Sequence, residues 1–392
     1  SLARLPQVAA VVGVDRIGRL LDELEQDAPD GVSHRVLVID GVDVLGENDR
    51  RLAALAAGGL ERGVHVVVTA LRWTFRPSLR DLLTGQIELR MAPTDSAFRD
   101  AQRSLPDVPG RGVSPAGRHM QTAHSDEEAV EHARRVSVAR GEVDLRMKLL
   151  PEKVGLAAAG PVLPGQVILG VGGPTLGPVT WDPSVMPHLT VVGQARSGVT
   201  TTLRTVIAGL ADPAAWPVGG VELLVADGRR GLLGVPGYRS PAGFAEELAR
   251  LVVVLRGRIP DDVTALSPTV LRERSWWTGP ELVVVVDDLD HSADLAAALD
   301  TLVPLLPHAA DIGLHVVTAR RSAVMGRSTY TPLLQGVRDS TAWVLLSAPR
   351  EDGPVAGQVL RPTAPGRGVL VVGDAVELQV AVVGDDSVTE EK

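Results

Sequence analysis

The chain has 392 residues, enough for two domains at roughly 150–200 residues each. Its 48 acidic residues exceed its 39 Lys and Arg, and the net charge of −9 argues against a surface that coats nucleic acid. Cysteine is absent, which excludes disulfides, thiolate catalysis and Cys-ligated zinc, and no apolar run approaches the roughly 20 residues that span a bilayer.

Short Val, Leu and Ile runs bounded by turn residues predict buried parallel strands at 36–40, 65–69, 189–193, 222–226, 282–287 and 315–319. Helical stretches separate them, among them 50–58, 244–256 and 293–306. Strands alternating with helices imply an α/β fold, a mainly parallel sheet with right-handed crossovers and helices on both faces. The Gly-, Pro- and Ala-rich segment 141–166 reads as a linker between a region 1–140 and a region 167–392. The polar tail after Gly384 reads as frayed.

Four blocks occur twice in the same order. HRVLVIDGVDVL (34–45), GVHVVVTALR (63–72), LPDVPGRG (105–112) and HMQTA (119–123) are matched by ELVVVVDDLDHS (281–292), GLHVVTARR (313–321), TAPGRG (363–368) and ELQVA (377–381). Asp40 precedes His65 by 25 residues and Asp287 precedes His315 by 28, so spacing agrees with order and a duplicated unit is expected. The second copy has a glycine turn 94 residues ahead of Asp287, whereas Asp40 has only 39 residues before it. The first copy is therefore expected to be truncated at its N-terminus, in a chain that begins with Ser.

That turn lies in LTVVGQARSGVTTTLRTVIAGL (189–210). An apolar strand ends at Gly193; Gln194, Ala195, Arg196 and Ser197 follow; Gly198 precedes Val199, Thr200 and Thr201 at the head of an amphipathic helix. This is the layout of G-x-x-x-x-G-K-[ST] with Val199 where the lysine belongs. Residues 193–201 are the candidate cradle for the phosphates of ATP, offering backbone N–H groups and the positive end of a helix. The alternative is a strand-to-helix turn that binds nothing. In PELVVVVDDLD (280–290) a buried strand ends in acids, and a carboxylate at that end faces the ligand crevice of an α/β sheet. Thr200 and Asp287 are the candidate ligands of Mg2+, with Asp287 expected on the strand adjacent to the phosphate loop. Asp287, Asp288 and Arg320 are the catalytic candidates. Asp288 stands where a fast ATPase usually has Glu, one methylene shorter. Arg320, Arg321 and Arg72 follow strands ending in Thr and are candidates for sensing the γ-phosphate or reaching a neighbouring subunit's, against a plain solvated role. Arg196 is a weaker candidate for the missing charge. The PGRG turns at 109–112 and 365–368 are expected to be structural, His65 and His315 to be core or sheet-edge residues, and Trp276–Trp277 to be either packing or an exposed binding feature. These motifs imply tandem RecA-like P-loop NTPase modules.

The order of strand-Asp, HVVVTALRW, LRDLLTGQIELRM, PTDS, PGRG and H-x-Q-T-A, with LPQVAAVVG at the start, MPHLTVVGQARSG before the helix and VVVVDDLD, resembles the EccC-type ATPases of type VII (ESX) secretion, a branch of the FtsK/SpoIIIE motors. The resemblance implies the end of a second ATPase module and a whole third one. It implies a cytoplasmic position at the inner face of the membrane, tethered by sequence outside this chain. It further implies contacts with other modules or subunits and recognition of WXG100-type secreted substrates. Val199 and the absence of Glu beside Asp287 depart from an active motor and imply weak or no hydrolysis. Two other readings stand beside it, a DNA translocase module and a pseudo-ATPase scaffold. A translocase would want the lysine, the Glu and basic pore loops, so nucleic acid is not the expected partner.

Overall fold

The computed structural model describes residues 5, 7–13, 16–25, 34–42, 48–73, 75–139, 149–173, 175–216, 220–289, 292–328, 331–384 and 388–389. The chain divides into two compact units, Ser1–Met147 and Lys148–Lys392. Asp43 and most of the tail expected to fray lie outside the described residues.

The first unit runs α1 (Ile17–Glu25), β1 (Arg35–Ile39), α2 (Asp49–Gly58), β2 (Val64–Val68), α3 (Pro77–Arg80), β3 (Glu88–Leu89), α4 (Arg99–Arg103), β4 (Arg111–Val113), β5 (His119–Gln121) and α5 (Glu127–Ala139). Strands β1 and β2 pair in parallel. Leu37 and Ile39 point to one face and pack with Leu21, Leu52 and Leu55 from the helices. Side chains alternate along a strand, so Val36 and Val38 point the other way, and they stand 61% and 64% exposed. β3, β4 and β5 form a separate antiparallel sheet.

The second unit runs β6 (Lys153–Gly155), β7 (Val167–Gly172), β8 (Gly177–Trp181), β9 (His188–Gly193), α6 (Val199–Leu210), β10 (Val221–Asp227), α7 (Pro241–Gly257), α8 (Pro268–Glu273), β11 (Glu281–Asp287), α9 (Ala293–Asp300), α10 (Ala309–Ile312) and β12 (Leu314–Arg321). It continues with α11 (Ser322–Ser328), α12 (Pro332–Val337), β13 (Thr341–Leu346), β14 (Pro354–Val355), β15 (Gln358–Val359), β16 (Arg367–Val372), β17 (Asp374–Val382) and β18 (Val388–Thr389). One mixed sheet organises it. β10, β11, β12, β9 and β13 lie side by side and parallel. β16, β17, β7 and β8 extend the sheet antiparallel. β11 shows why its core is deep: Leu282, Val284 and Val286 pack with Phe244 and Leu248 of α7 and Leu295 and Leu299 of α9. The alternate residues Val283 and Val285 pack with Leu203, Val206 and Ile207 of α6. A strand covered on both faces needs an unbroken apolar run, which VVVV supplies.

Three expectations change. The sheet is mixed: parallel across β10, β11, β12, β9 and β13 and between β17 and β6, antiparallel across β13, β16, β17, β7 and β8. The latter part of the expected linker is folded into the second unit, because Val154 of β6 pairs with Ala381 of β17, and Leu150, Val154 and Ala159 are buried. The helix expected over 293–306 stops at Asp300 and continues as a 3-10 segment, Val303–His308, containing Pro304 and Pro307, which deny helical N–H donors.

The two PGRG turns make the same contacts. Gln121 Nε2 donates to Pro109 O at 3.0 Å and Gln379 Nε2 to Pro365 O at 3.1 Å. Thr122 N donates to Gly110 O at 2.9 Å and Val380 N to Gly366 O at 2.8 Å. His315 is a core residue: its Nδ1 lies 2.8 Å from Pro187 O and its Nε2 2.7 Å from Glu281 Oε2. His65 is half-buried, 3.0 Å from His34. Both tryptophans pack, with Trp276 Nε1 donating to Arg258 O and the Arg258 guanidinium 4.0 Å over the Trp277 ring.

Candidate functional site

β9 is buried at every position and releases the chain at Gly193 into the turn that α6 closes. A Cβ on Gly193 would collide with the Ser197 hydroxyl, and Gly198 sits at φ +106°, a conformation that favours glycine. Thr202 N makes the first helical bond, to Gly198 O at 2.8 Å. The N–H groups of Val199, Thr200 and Thr201, ahead of it, have no partner within the helix. α6 is held by its apolar face, Leu203, Val206, Ile207 and Leu210, all buried.

Asp287 is not on the neighbouring strand. β12 lies between β9 and β11, and this corrects the expected adjacency. Strand order follows the crossovers of the chain, which strand sequence does not encode. The gap is closed by α6, because Thr200 Oγ1 donates to Asp287 Oδ2 at 2.7 Å. The intervening strand brings its own end into the site: Arg320 pairs with Val192 and Arg321 with Gly193 in the β12–β9 register.

The result is a cavity of about 390 Å³, lined by Gly193, Gln194, Ala195, Arg196, Gly198, Val199, Thr200, Thr201, Arg229, Asp287, Asp288, Ala319, Arg320, Arg321 and Pro365. Every candidate residue of the phosphate cradle lines it except Ser197. That side chain is buried at 2% exposure, and its carbonyl accepts from Gly366 N at 2.8 Å. The second PGRG turn is thus more than a turn, since it braces the loop from behind. Arg72 is in the first unit and exposed.

Asp287 is 4% exposed, and burial pushes its carboxyl above the usual carboxylate range, opposed by the Thr200 hydrogen bond and reinforced by the charges of Asp288 and Asp227. A hydroxyl and a carboxylate oxygen together suit a hard divalent cation, which would offset the cost of a buried negative charge. Asp288 sits at φ +49°, with its carboxylate between Arg229 Nε at 3.6 Å and Arg321 Nε at 3.8 Å. The sequence reading missed Arg229. Its signal was ELLVADGRRG (222–231), a second buried strand ending in acid and then base, whose Asp227 is level with Asp287.

No family model matches the chain. It is 38% identical over 94% of its length to the ESX-4 secretion system protein EccC4 of Mycobacterium tuberculosis, and 31% identical over 95% to the ESX secretion system protein EccC of Thermomonospora curvata. The chain spans 31% and 33% of the length of those two relatives. Among solved structures, Thermomonospora curvata EccC (ATPases 2 and 3) in complex with a signal sequence peptide matches 97% of this chain and 80% of its own, at 28% identity and a TM-score of 0.66. The phosphate loop, the acidic strand and these likenesses agree: the chain belongs to the EccC-type ATPases of type VII (ESX) secretion, in the stretch that holds their tandem C-terminal P-loop ATPase modules.

Proposed function

We propose that the second unit binds ATP with Mg2+ in the cavity between residues 193–201 and Asp287, and acts as a regulatory, substrate-engaging module of a type VII secretion motor. The observation that carries this reading is the Thr200–Asp287 contact of 2.7 Å, which joins the helix after the phosphate loop to the acidic strand across the cavity. The N–H groups of residues 199–201 would cradle phosphate oxygens, and Thr200 and Asp287 would hold the metal. The ion supplies charge neutralisation between phosphates.

Hydrolysis at this site is slow or absent in this reading. Val199 offers no charge to the γ-phosphate, and Asp288 is one methylene shorter than the Glu that usually orients the attacking water. Binding without rapid turnover suits a module whose loading state regulates a neighbouring motor. The relative solved with a signal sequence peptide supports an export signal as the partner, of the kind carried by WXG100-type substrates. The site of action would be the inner face of the membrane, with the tether and further modules in sequence outside this chain. Among the described residues no single helix is long and apolar enough to cross a membrane.

Equilibrium binding and steady-state turnover of ATP by the intact chain test this reading. Saturable, magnesium-dependent binding with little turnover is expected. Brisk hydrolysis that survives Asp287→Ala would contradict it. A chain that binds no nucleotide at all would be the scaffold, and salt-sensitive DNA binding would favour the translocase.

A further inference from the structure

The lysine's absence at Val199 leaves a charge to be accounted for. Four arginines, 196, 229, 320 and 321, line the cavity against two carboxylates, so the pocket is cationic although the chain as a whole carries −9. Arg229 comes from the loop after β10, and that loop is held rigidly for a surface turn. The Asp227 carboxylate is buried and accepts from the N–H of Arg229 at 3.0 Å, and also from those of Arg230 and Leu232. Arg204, on α6, donates to Gly231 O at 2.6 Å. A Cβ on Gly231 would stand 3.1 Å from the Thr200 methyl, so the loop packs against the helix that opens the phosphate cradle. Gly228 N donates to Asp287 O at 3.2 Å, tying it to the acidic strand as well.

Arg229 makes a long ion pair with Asp288. Its Nε is 3.6 Å from Asp288, and Arg321 Nε is 3.8 Å from the other oxygen of that carboxylate, beyond the 2.7–2.9 Å of a charged hydrogen bond. The two arginine side chains are 46% and 40% exposed. Such pairs are weak and exchangeable. A triphosphate brings several strong acceptor oxygens to the same place.

We infer that Arg229 supplies, from the loop after β10, the phosphate-directed charge that Val199 lacks, and that Asp288 serves as its counter-ion until a polyphosphate displaces it. The inference rests on the nucleotide reading above. It assigns Asp288 the role of a stand-in anion that keeps Arg229 and Arg321 across the cavity.

A fluorescent ATP analogue titrated into the intact chain, with and without magnesium, tests it. Arg229→Ala is expected to weaken binding by about tenfold or more, the size of a lost charge-assisted contact, and Arg229→Lys to keep most of the affinity. Asp288→Asn is expected to tighten binding several-fold, and to lose that gain when combined with Arg229→Ala. An unchanged melting temperature shows that each variant is folded. Wild-type affinity in Arg229→Ala overturns the inference and leaves the nucleotide reading standing. A gain in Asp288→Asn that persists without Arg229 also overturns it. A wild-type chain that does not bind the analogue overturns both.

Discussion

β1 and β11 carry similar residues, RVLVI against ELVVVVD, and each pairs in parallel with a strand whose second residue is an equivalent His. One is half bare and the other is buried on both faces. Asp40, after β1, is exposed, and its carboxylate accepts from Thr69 Oγ1 at 2.6 Å. Asp287, at the end of β11, is buried and faces Thr200 of a helix with no counterpart among the described residues of the first unit. A strand sequence therefore sets pairing, while the layer above it decides whether the terminal acid becomes a site.

The comparison breaks most sharply between a buried and a bare strand position. Val284→Asp places an unpaired charge in a fully buried position and is expected to abolish folding of the second unit, whereas Val38→Asp, on the bare face, is expected to stay within about 0.5 kcal/mol. Soluble yield and denaturant melts of the two variants check this. If Val284→Asp were tolerated, the doubly covered sheet would be wrong.

An acid limb of stability is expected next. Burial, helped by the charge of His315, pushes His188 down to about 3 from 6.5. A lowered folded value means that stability is complete above pH 6.5 and is lost as pH falls toward 3, at up to about 1.4 kcal/mol per pH unit. Glu281, raised by burial but lowered more by His315 and Arg274 to about 2, adds a further loss below its ordinary value of 4.5. His188→Gln is expected to flatten the slope between pH 6.5 and 4.5 in urea melts. An unchanged slope would place the acid sensitivity elsewhere.

The paired turns sharpen the comparison at smaller scale. Gly110 and Gly366 sit at φ +78° and +75°, and a Cβ would meet Gln121 Nε2 at 2.6 Å or Gln379 Nε2 at 2.7 Å. Alanine at either is expected to cost about 1–3 kcal/mol. Only Gly366→Ala should also weaken nucleotide binding, because Gly366 N holds the Ser197 carbonyl of the phosphate loop. Equal effects of both on binding would detach that turn from the site. The smallest effect is a gain: Val199→Lys is expected to tighten ATP binding up to about tenfold, near 1.4 kcal/mol. Flat or reduced affinity would mean that the loop does not face the phosphates.

Much of this was legible in the residues. The six strands read from apolar runs fall within one or two residues of the observed ones, because buried parallel strands leave an unbroken signal. Residues 193–201 were legible as a glycine turn between a buried strand and an amphipathic helix. The antiparallel half was not, since β16 and β17 are absent from the strands read from apolar runs. The insertion of β12 between β9 and β11 was also hidden, and with it the reason that Arg320 and Arg321 reach the cavity. Ser197 matched the motif but points inward, which only packing against Gly366 and Gly193 decides. Arg229 matched no motif, and its place depends on the level ends of β10 and β11.

The central claim is that backbone amides at the head of α6, with Thr200 and Asp287, hold a nucleotide without the usual lysine. The direct test is the melting temperature of the intact chain in ATP and Mg2+, compared with Asp287→Asn. The wild type is expected to gain stability that saturates with ligand, about 2.7 kcal/mol at a hundredfold excess over Kd, and to lose the gain when magnesium is chelated. Asp287→Asn is expected to melt higher than the wild type without ligand, because a buried charge is gone, and to show little shift with it. A wild-type melting temperature unmoved by millimolar ATP and Mg2+, or an equal shift in Asp287→Asn, would contradict the account.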